Sequence, residues 1–322
     1  MVKFKPKMSL KERILEILAN APSEVSGEVL AKELYVSRTA VWKAIQGLKN
    51  EGIEIQATKK GYFLKYKDLL LPSRLNELVS KLILWEKVVY KFEVSSTMDV
   101  AKELAERGDK AIVIAEKQTA GRGRLSRAWK SDLGGLWITL ILLDKRPLKS
   151  ALGFPFLSAL AVANALKKTY NLSPTLKWPN DVLLSEKKVA GILLEVKGET
   201  DLMEYALIGV GVNLNNKVSQ EPFEQKAISV SECLGKEVDR FAFLSSLLQN
   251  FKALYLNLSM QEILRNWKSL SSTLGRPVKV RTLNESFEGV ALDLDDDDDG
   301  ALLVQTETGI RKVYSGDCFY LR

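Results

Sequence analysis

The sequence predicts an α+β protein in three parts: a winged helix-turn-helix over residues 1-66, a larger mixed-sheet domain over 67-273 and a small SH3-like β-barrel over 274-322. Three observations carry this division. Apolar residues recur at helical spacing in three short N-terminal runs, followed by two β-prone runs around a Lys-Lys-Gly turn. Strand-like and helix-like runs then alternate through the middle of the chain. Beyond Leu274 only short β-prone runs separated by turns remain.

In the head, Leu10, Ile14, Ile17 and Leu18 mark a first helix over Leu10 to Leu18. Ser26 caps a second helix containing Val29, Leu30 and Leu34, and Tyr35-Val36 form a break. Ser37 caps a third helix, burying Val41, Ile45 and Leu48 and presenting Arg38, Thr39, Trp42, Lys43, Gln46 and Lys49. Ile53-Glu54-Ile55 and Tyr62-Phe63-Leu64 read as the strands of a wing tipped by Lys59 and Lys60. Two helices joined by a tight turn, the second with a basic face, form a DNA-reading unit. Its candidate contacts are Ser37, Arg38, Thr39, Trp42, Lys43, Lys59 and Lys60. Charge agrees: residues 1 to 68 hold thirteen Lys or Arg against eight Asp or Glu, most of the chain's net +7.

In the middle, Leu71-Pro72-Ser73 opens a linker with a short helix from Arg74 to Leu82. Val88 to Val94, Ala111 to Ala115, Leu136 to Leu143 and Tyr205 to Leu214 read as strands, and Val182 to Leu184 with Ile192 to Val196 as a hairpin. Helices are expected after Ser96-Thr97, over Phe154 to Tyr170, and near Phe241 to Leu256 and Gln261 to Leu270. In the tail, strands are expected at Pro277 to Val280, Glu288 to Ala291, Ala301 to Val304 and Lys312 to Tyr314. Asp295 to Asp299 reads as a solvated acidic loop.

Composition removes several chemistries. The 322 residues contain no histidine, so a Ser-His-Asp triad, a Cys-His pair and a His-ligated zinc are excluded. The two cysteines, Cys233 and Cys318, rule out a disulfide scaffold and suit a reducing compartment. No signal peptide is expected, and no stretch approaches the length needed to cross a bilayer. A P-loop motif is absent.

Three connections carry the chemistry that remains. Gly121-Arg122-Gly123-Arg124-Leu125-Ser126-Arg127-Ala128-Trp129 combines close backbone approach with guanidinium forks that match carboxylates and phosphates. So many like charges favour a loop that orders around an anion. Lys177-Trp178-Pro179-Asn180-Asp181 places a carboxylate and an amide at a strand end. Lys187-Lys188-Val189-Ala190-Gly191-Ile192 puts two lysines in the expected hairpin turn and a glycine just inside the next strand. Ile208-Gly209-Val210-Gly211-Val212-Asn213 repeats that glycine signal without the third glycine of a dinucleotide site.

Taken in order, Gly-Arg-Gly-Arg, Lys-Trp-Pro-Asn-Asp, Lys-x-Ala-Gly-Ile-Leu and Gly-x-Gly-x-Asn make the chain resemble the bifunctional biotin–protein ligase and biotin-operon repressor family, the BirA type. The resemblance implies a central domain like that of class II aminoacyl-tRNA synthetases. It implies formation of biotinyl-5′-AMP from biotin and ATP with Mg²⁺, without a tightly bound organic cofactor. Biotin then passes to a lysine of a biotin carboxyl carrier protein. A cytoplasmic homodimer on operator DNA, away from membranes, is the expected repressor.

The resemblance assigns Ser96, Thr97 and Gln118 to the ureido end of biotin, with Gly121, Gly123 and Gly191 as pocket backbone. Trp137, Thr139, Leu193 and Gly209 fall where the family lines the cavity. Arg122 and Arg124 would hold the biotin carboxylate and ATP phosphates, with Lys188 between carboxylate and α-phosphate. Arg127, Lys177, Asn180, Asp181 and Asn213 match positions near the nucleotide, and Trp129 would cover the adenine. Lys188, Arg124 and Asp181 become the catalytic candidates, Asp181 also as a Mg²⁺ ligand. Two departures stand out. Met98 replaces the family's usual asparagine, with Asp99 beside it, and Leu125-Ser126 replaces Arg-Gly. A lipoate or octanoate ligase would share the fold, but its pattern places a histidine after the arginine stretch. A pure regulator should have lost Lys188 and Arg124.

Overall fold

The computed structural model describes residues 8–218, 226–296 and 300–321. The head is α1 (Leu10–Asn20), α2 (Gly27–Leu34) and α3 (Arg38–Asn50), then β1 (Ile55–Ala57) and β2 (Tyr62–Leu64). Each helix begins on a serine whose hydroxyl accepts a backbone N–H: Ser9 from Glu12, Ser26 from Val29, Ser37 from Ala40. Tyr35, at φ 55°, makes the left-handed turn between α2 and α3. Leu30, Leu34, Val41, Ile45 and Leu48 close on Ile14 and Leu18 as one core. Val29 of α2 points outward, 51% exposed. One expectation needs correction: the first wing strand begins only at Ile55. Ile53 instead finishes the end of α3, donating its N–H to Leu48 O. In the turn between the wing strands Gly61 is at φ 147°, and a side chain there would collide with Val25 O.

The linker helix α4 (Pro72–Ser80) starts two residues before the expected Arg74, because Pro72 suits the first helical turn. The sheet follows as β3 (Lys87–Val94), β4 (Ala111–Gln118), β5 (Leu136–Leu142), β6 (Thr175–Lys177), β7 (Asp181–Leu184), β8 (Lys187–Glu199) and β9 (Leu202–Val212). Its order is β3-β4-β5-β9-β8-β7-β6. Only β3 and β4 run parallel, joined by the crossover helix α5 (Thr97–Glu106). The mixed, largely antiparallel sheet expected from the sequence is therefore present. Met98, Ala101, Leu104 and Ala105 of α5 cover one face through Val113, Ile141 and Leu207. The other face packs into the larger core with α6 (Phe154–Tyr170), α8 (Arg240–Asn257) and α9 (Met260–Ser269). The short α7 (Val230–Leu234) escaped the sequence reading, whereas β6 is the strand expected to end at Lys177.

One expectation about length is corrected by α6. With the 3₁₀ turn before it, Leu148–Tyr170 is long and apolar enough to cross a membrane. It is apolar on all sides because it is packed on all sides: Phe156, Leu157, Leu160, Ala161, Val162 and Leu166 are all buried.

The tail forms a five-stranded antiparallel sheet of β10 (Pro277–Arg281), β11 (Ser286–Asp295), β12 (Ala301–Thr306), β13 (Gly309–Val313) and β14 (Asp317–Tyr320). Its order is β13-β12-β11-β10-β14. β14 was not read from the sequence, and together with Arg281 of β10 it reaches the cavity described below. The tail docks on the central domain at Gly300, where a Cβ would lie 2.6 Å from the Phe156 ring. Residues 297–299 of the acidic run lie outside the described residues. Asp295 and Asp296 beside them pair with Lys312 and Lys268.

The head is fastened by a buried ionic knot. Arg240 of α8 is 1% exposed and donates to Asp68 Oδ2 (2.9 Å), Glu116 Oε2 (2.8 Å) and Gly135 O (2.7 Å). Glu116 also accepts from Leu70 N and the Tyr90 hydroxyl. Burial alone would favour a neutral guanidine, but the carboxylates of Glu116 and Asp68 outweigh it and raise the Arg240 pKa. Apolar packing supports the same junction, where Leu69 and Leu71 of the linker and Phe92 of β3 join the head's core. Arg240→Met strands two carboxylates and is expected to lower stability by about 3–5 kcal/mol. Urea denaturation measures this, and a near-zero change would contradict the assignment.

Candidate functional site

A cavity of about 540 Å³ lies over β8 and β9, beneath the loop 121–129 and against β14. Its polar end is built at the start of α5. Ser96 is the N-cap, accepting from Met98 N at 3.3 Å. Thr97 donates to Gln118 Oε1 from both its backbone N (2.8 Å) and its hydroxyl (3.0 Å). Ser96, Thr97, Met98 and Gln118 all line the cavity, as do Trp137, Leu193 and Gly209.

Two expected lining residues stand behind the wall instead. Thr139 is fully buried and donates to the Thr97 hydroxyl at 2.9 Å, because its position on β5 faces α5. Gly121 is also buried, and a side chain there would collide with Trp129 O. Met98 is accommodated because Gly209 has no side chain: a Cβ there would lie 2.9 Å from the Met98 sulfur. Asp99 does not fill the missing amide's place. It binds Arg122 through both oxygens, at 3.1 and 2.7 Å, and this pairing lowers its pKa. Arg122 lies 3.8 Å from Glu195 as well, so it forms the cavity rim with its charge already countered by two carboxylates.

The other end gathers cations. Lys188 is not in a turn, as expected; the turn is Ser185-Glu186, both at positive φ, and Lys188 stands in β8 beside a bulge opposite β7. The bulge leaves its side chain 24% exposed, with Nζ 2.6 Å from Asp181 Oδ1 and 5.1 Å from the Trp129 ring. Arg124 donates to Ser315 Oγ (2.8 Å), Gly316 O (3.1 Å) and Asn180 Oδ1 (3.4 Å). Burial pushes the Arg124 and Lys177 pKa values down, partly offset by nearby Asp181 and Asp317. Asn180 is fixed by donating to Ile192 O at 2.6 Å. Asn213 is held by Asn216, which donates to its Oδ1 at 3.0 Å.

Trp129 does not stand away from the sheet. Gly191 and Gly211 are cross-strand partners, and the indole lies on the flat patch they leave. A Cβ would come within 3.0 Å of the ring at Gly191 and 2.7 Å at Gly211. The loop above is folded, with Leu125 and Ser126 both left-handed at φ 53° and 57°. Its guanidinium groups have carboxylate counterions from elsewhere in the chain, above all Asp317, which Arg127 binds through both oxygens.

Asp317, Arg281 and Phe319 also line the cavity and were missed in the sequence. Asp317 and Phe319 lie in a four-residue strand after a turn that carries no chemical signature, Arg281 ends β10 one residue past the expected strand, and only tertiary docking brings them here. Cys318 beside them has its thiol pushed up to about 11 by burial, so it is no nucleophile at neutral pH. Among the described residues no group of three or more His, Cys, Asp or Glu could hold a metal. Asp181 is a single carboxylate, which suits an ion that arrives on phosphates and keeps most of its own water.

On the head, Arg38, Thr39, Trp42 and Lys43 share the exposed side of α3, and Lys59 and Lys60 sit exposed at the wing tip. Trp42 is 53% exposed and so does not act as a core residue. The Ser37 hydroxyl is engaged as the α3 cap, accepting from Ala40 N at 3.1 Å.

A winged helix joined to a mixed sheet whose cavity pairs a neutral polar end with a cationic one defines an acid-activating ligase with a DNA-binding head. Comparison with known proteins specifies it. Residues 90–213 match the Biotin/lipoate A/B protein ligase family, 273–321 the Biotin protein ligase C terminal domain and 11–63 an HTH domain. The chain is 36% identical to the bifunctional ligase/repressor BirA of Bacillus subtilis over 96% of its length and 98% of the relative's. It is 29% identical to that of Escherichia coli, over 96% of each. The biotin protein ligase of Aquifex aeolicus in complex with biotin and ATP superposes with a TM-score of 0.62 at 29% identity, covering 74% of this chain and 100% of that one. The chain belongs to the BirA family of bifunctional biotin–protein ligases and repressors.

Two outcomes test this geometry. Gly211→Ala should unseat Trp129 and shift its emission to longer wavelength, read as the difference from the same variant carrying Trp129→Phe; an unshifted difference spectrum contradicts the seat. The second concerns pH. Burial opposes ionisation of Asp317, but Arg127, with Arg124 and Arg281, outweighs it and lowers the pKa. Its stabilisation is therefore complete above the ordinary carboxylate range and fades as pH falls through the lowered value. Asp317→Asn should cost about 1 kcal/mol or less at pH 7, since Arg127 is half exposed. Wild type and variant should converge in acid, and a gap that widens there would contradict the pairing.

Proposed function

We propose that the cavity condenses biotin with ATP to biotinyl-5′-AMP and then delivers biotin to a lysine of a biotin carboxyl carrier protein. The observation that carries this reading is the cavity's polarity. Thr97 and Gln118 form a neutral hydrogen-bonding end, while Lys188, Arg124, Lys177 and Arg127 converge at the other. A ureido ring suits the first, and a carboxylate meeting a triphosphate suits the second.

The first step joins two anions. A carboxylate oxygen attacks the α-phosphorus, an anhydride forms and pyrophosphate leaves. Repulsion between the reactants is the main barrier, and fixed cations lower it without a proton-transferring histidine. Lys188 is placed for this. It would exchange Asp181, 2.6 Å away, for the carboxylate and α-phosphate oxygens. Arg124, anchored on the tail, would hold phosphate, and Mg²⁺ entering with ATP would add Lewis acidity, with Asp181 as its carboxylate. The anhydride is prone to hydrolysis, and the loop 121–129 with Trp129 would exclude water from it. An acceptor amine then attacks the acyl carbon, AMP leaves and the amine loses a proton.

In the repressor role, the unit over 1-66 reads operator DNA through α3 and the wing, as a homodimer whose two heads span two half-sites. The protein works in the cytoplasm. Lys188→Ala is expected to slow adenylate formation by about 10²–10³-fold. DNA affinity of the head should remain. Pyrophosphate release and a DNA mobility shift measure the two, and near-normal adenylate synthesis would refute the role of Lys188. In the wild type, biotin plus ATP should strengthen the shift, and an unchanged shift leaves only the ligase.

A further inference from the structure

Just past the loop that carries Trp129 lies Ser131, 2% exposed and outside the cavity wall. Its hydroxyl belongs to a directed chain of hydrogen bonds. The direction is fixed at one point: the backbone N–H of Thr97 can only donate, so the Gln118 atom facing it at 2.8 Å is the carbonyl oxygen. The Gln118 amide nitrogen must then face the other way, donating to Ser131 Oγ at 2.8 Å. Ser131 accepts there, and its own hydrogen goes to Trp129 O at 3.1 Å. With Thr139 donating to Thr97, the chain runs Thr139, Thr97, Gln118, Ser131, Trp129.

The backbone reinforces this path. Gln118 N donates to Ser131 O at 3.0 Å, and Trp129 N to Gly121 O at 2.8 Å. A Cβ at Gly121 would lie 2.6 Å from Ser131 Oγ and would collide with Trp129 O, so glycine is what lets the path close. At its far end the Trp129 ring lies on Gly191 and Gly211, 5.1 Å from Lys188 Nζ. A group in the polar end of the cavity is thus linked, through one hydroxyl, to the ring that covers the cationic end.

We infer that Ser131 is a positioning residue that makes the seat of Trp129 depend on what occupies Gln118. The inference rests on the cavity being the biotin and ATP site. A ligand bonded to Gln118 polarises its already oriented amide, and hydrogen bonds in series strengthen one another in a dry environment. The gain reaches Trp129 O only through Ser131 Oγ.

The test uses the full chain with saturating biotin as probe. Trypsin cleavage after Arg122, Arg124 and Arg127 is followed by mass spectrometry, and biotin affinity by calorimetry. Biotin should slow cleavage in the wild type. Ser131→Ala should bind biotin within about threefold of wild type but lose about fivefold of the protection, the scale of one buried hydrogen bond. Ser131→Thr, which keeps the hydroxyl, should restore it. Undiminished protection in Ser131→Ala, or equal loss in both variants, overturns the inference while the ligase reading stands. A loss of affinity with protection at saturation unchanged overturns it too. A wild type that binds no biotin overturns both.

Discussion

Lysine and arginine side chains drawn into one half-buried cavity repel one another, and the fold keeps them there by giving them acidic partners. Lys188 rests on Asp181, Arg127 on Asp317 and Arg122 on Asp99. In a low-dielectric cleft an uncompensated cation is costly, and these pairings offset that cost. They also define its chemistry, because an incoming carboxylate or phosphate competes for the same donors. Arg122, with Asp99 and Glu195 around it, is a rim element. Lys188 and Arg124 face the space where the reactants would meet.

The partners come from distant parts of the chain, which makes the domain arrangement part of the site. Asp317 belongs to the C-terminal sheet, and Arg124 is bonded to Ser315 and Gly316 of the same unit. At the opposite end, Glu116 lies two residues before Gln118 on β4 and binds Arg240, which also binds Asp68 at the exit from the head. Asn215, two residues after Asn213, donates to Asp68 as well. The strand ends that carry the cavity-lining Gln118 and Asn213 are thus the ones that fasten the DNA-binding unit.

Much of this was legible in the sequence where local chemistry dictates local structure. Ser26 and Ser37 announced their helices, and Phe154–Tyr170 was bounded by its own apolar pattern. The glycine and arginine motifs located the cavity because close approach and anion binding need those residue types. What could not be read depends on register and docking. Thr139 and Gly121 have the right composition for a wall but lie behind it. Lys188 has the composition of a turn but is carried into β8 by a bulge. β14 is too short to declare itself, and the knot at Arg240 joins residues more than a hundred positions apart.

Condensation of two anions in this cavity requires the acidic partners of its cations to yield to the reactants. A crystal structure of the full chain with biotin and a non-hydrolysable ATP analogue tests this most directly. In that complex Lys188 Nζ is expected to have left Asp181 and to lie within hydrogen-bonding distance of the biotin carboxylate or an α-phosphate oxygen, with the ureido ring at Thr97 and Gln118. Phosphates bound elsewhere, with Lys188 still on Asp181, would contradict it.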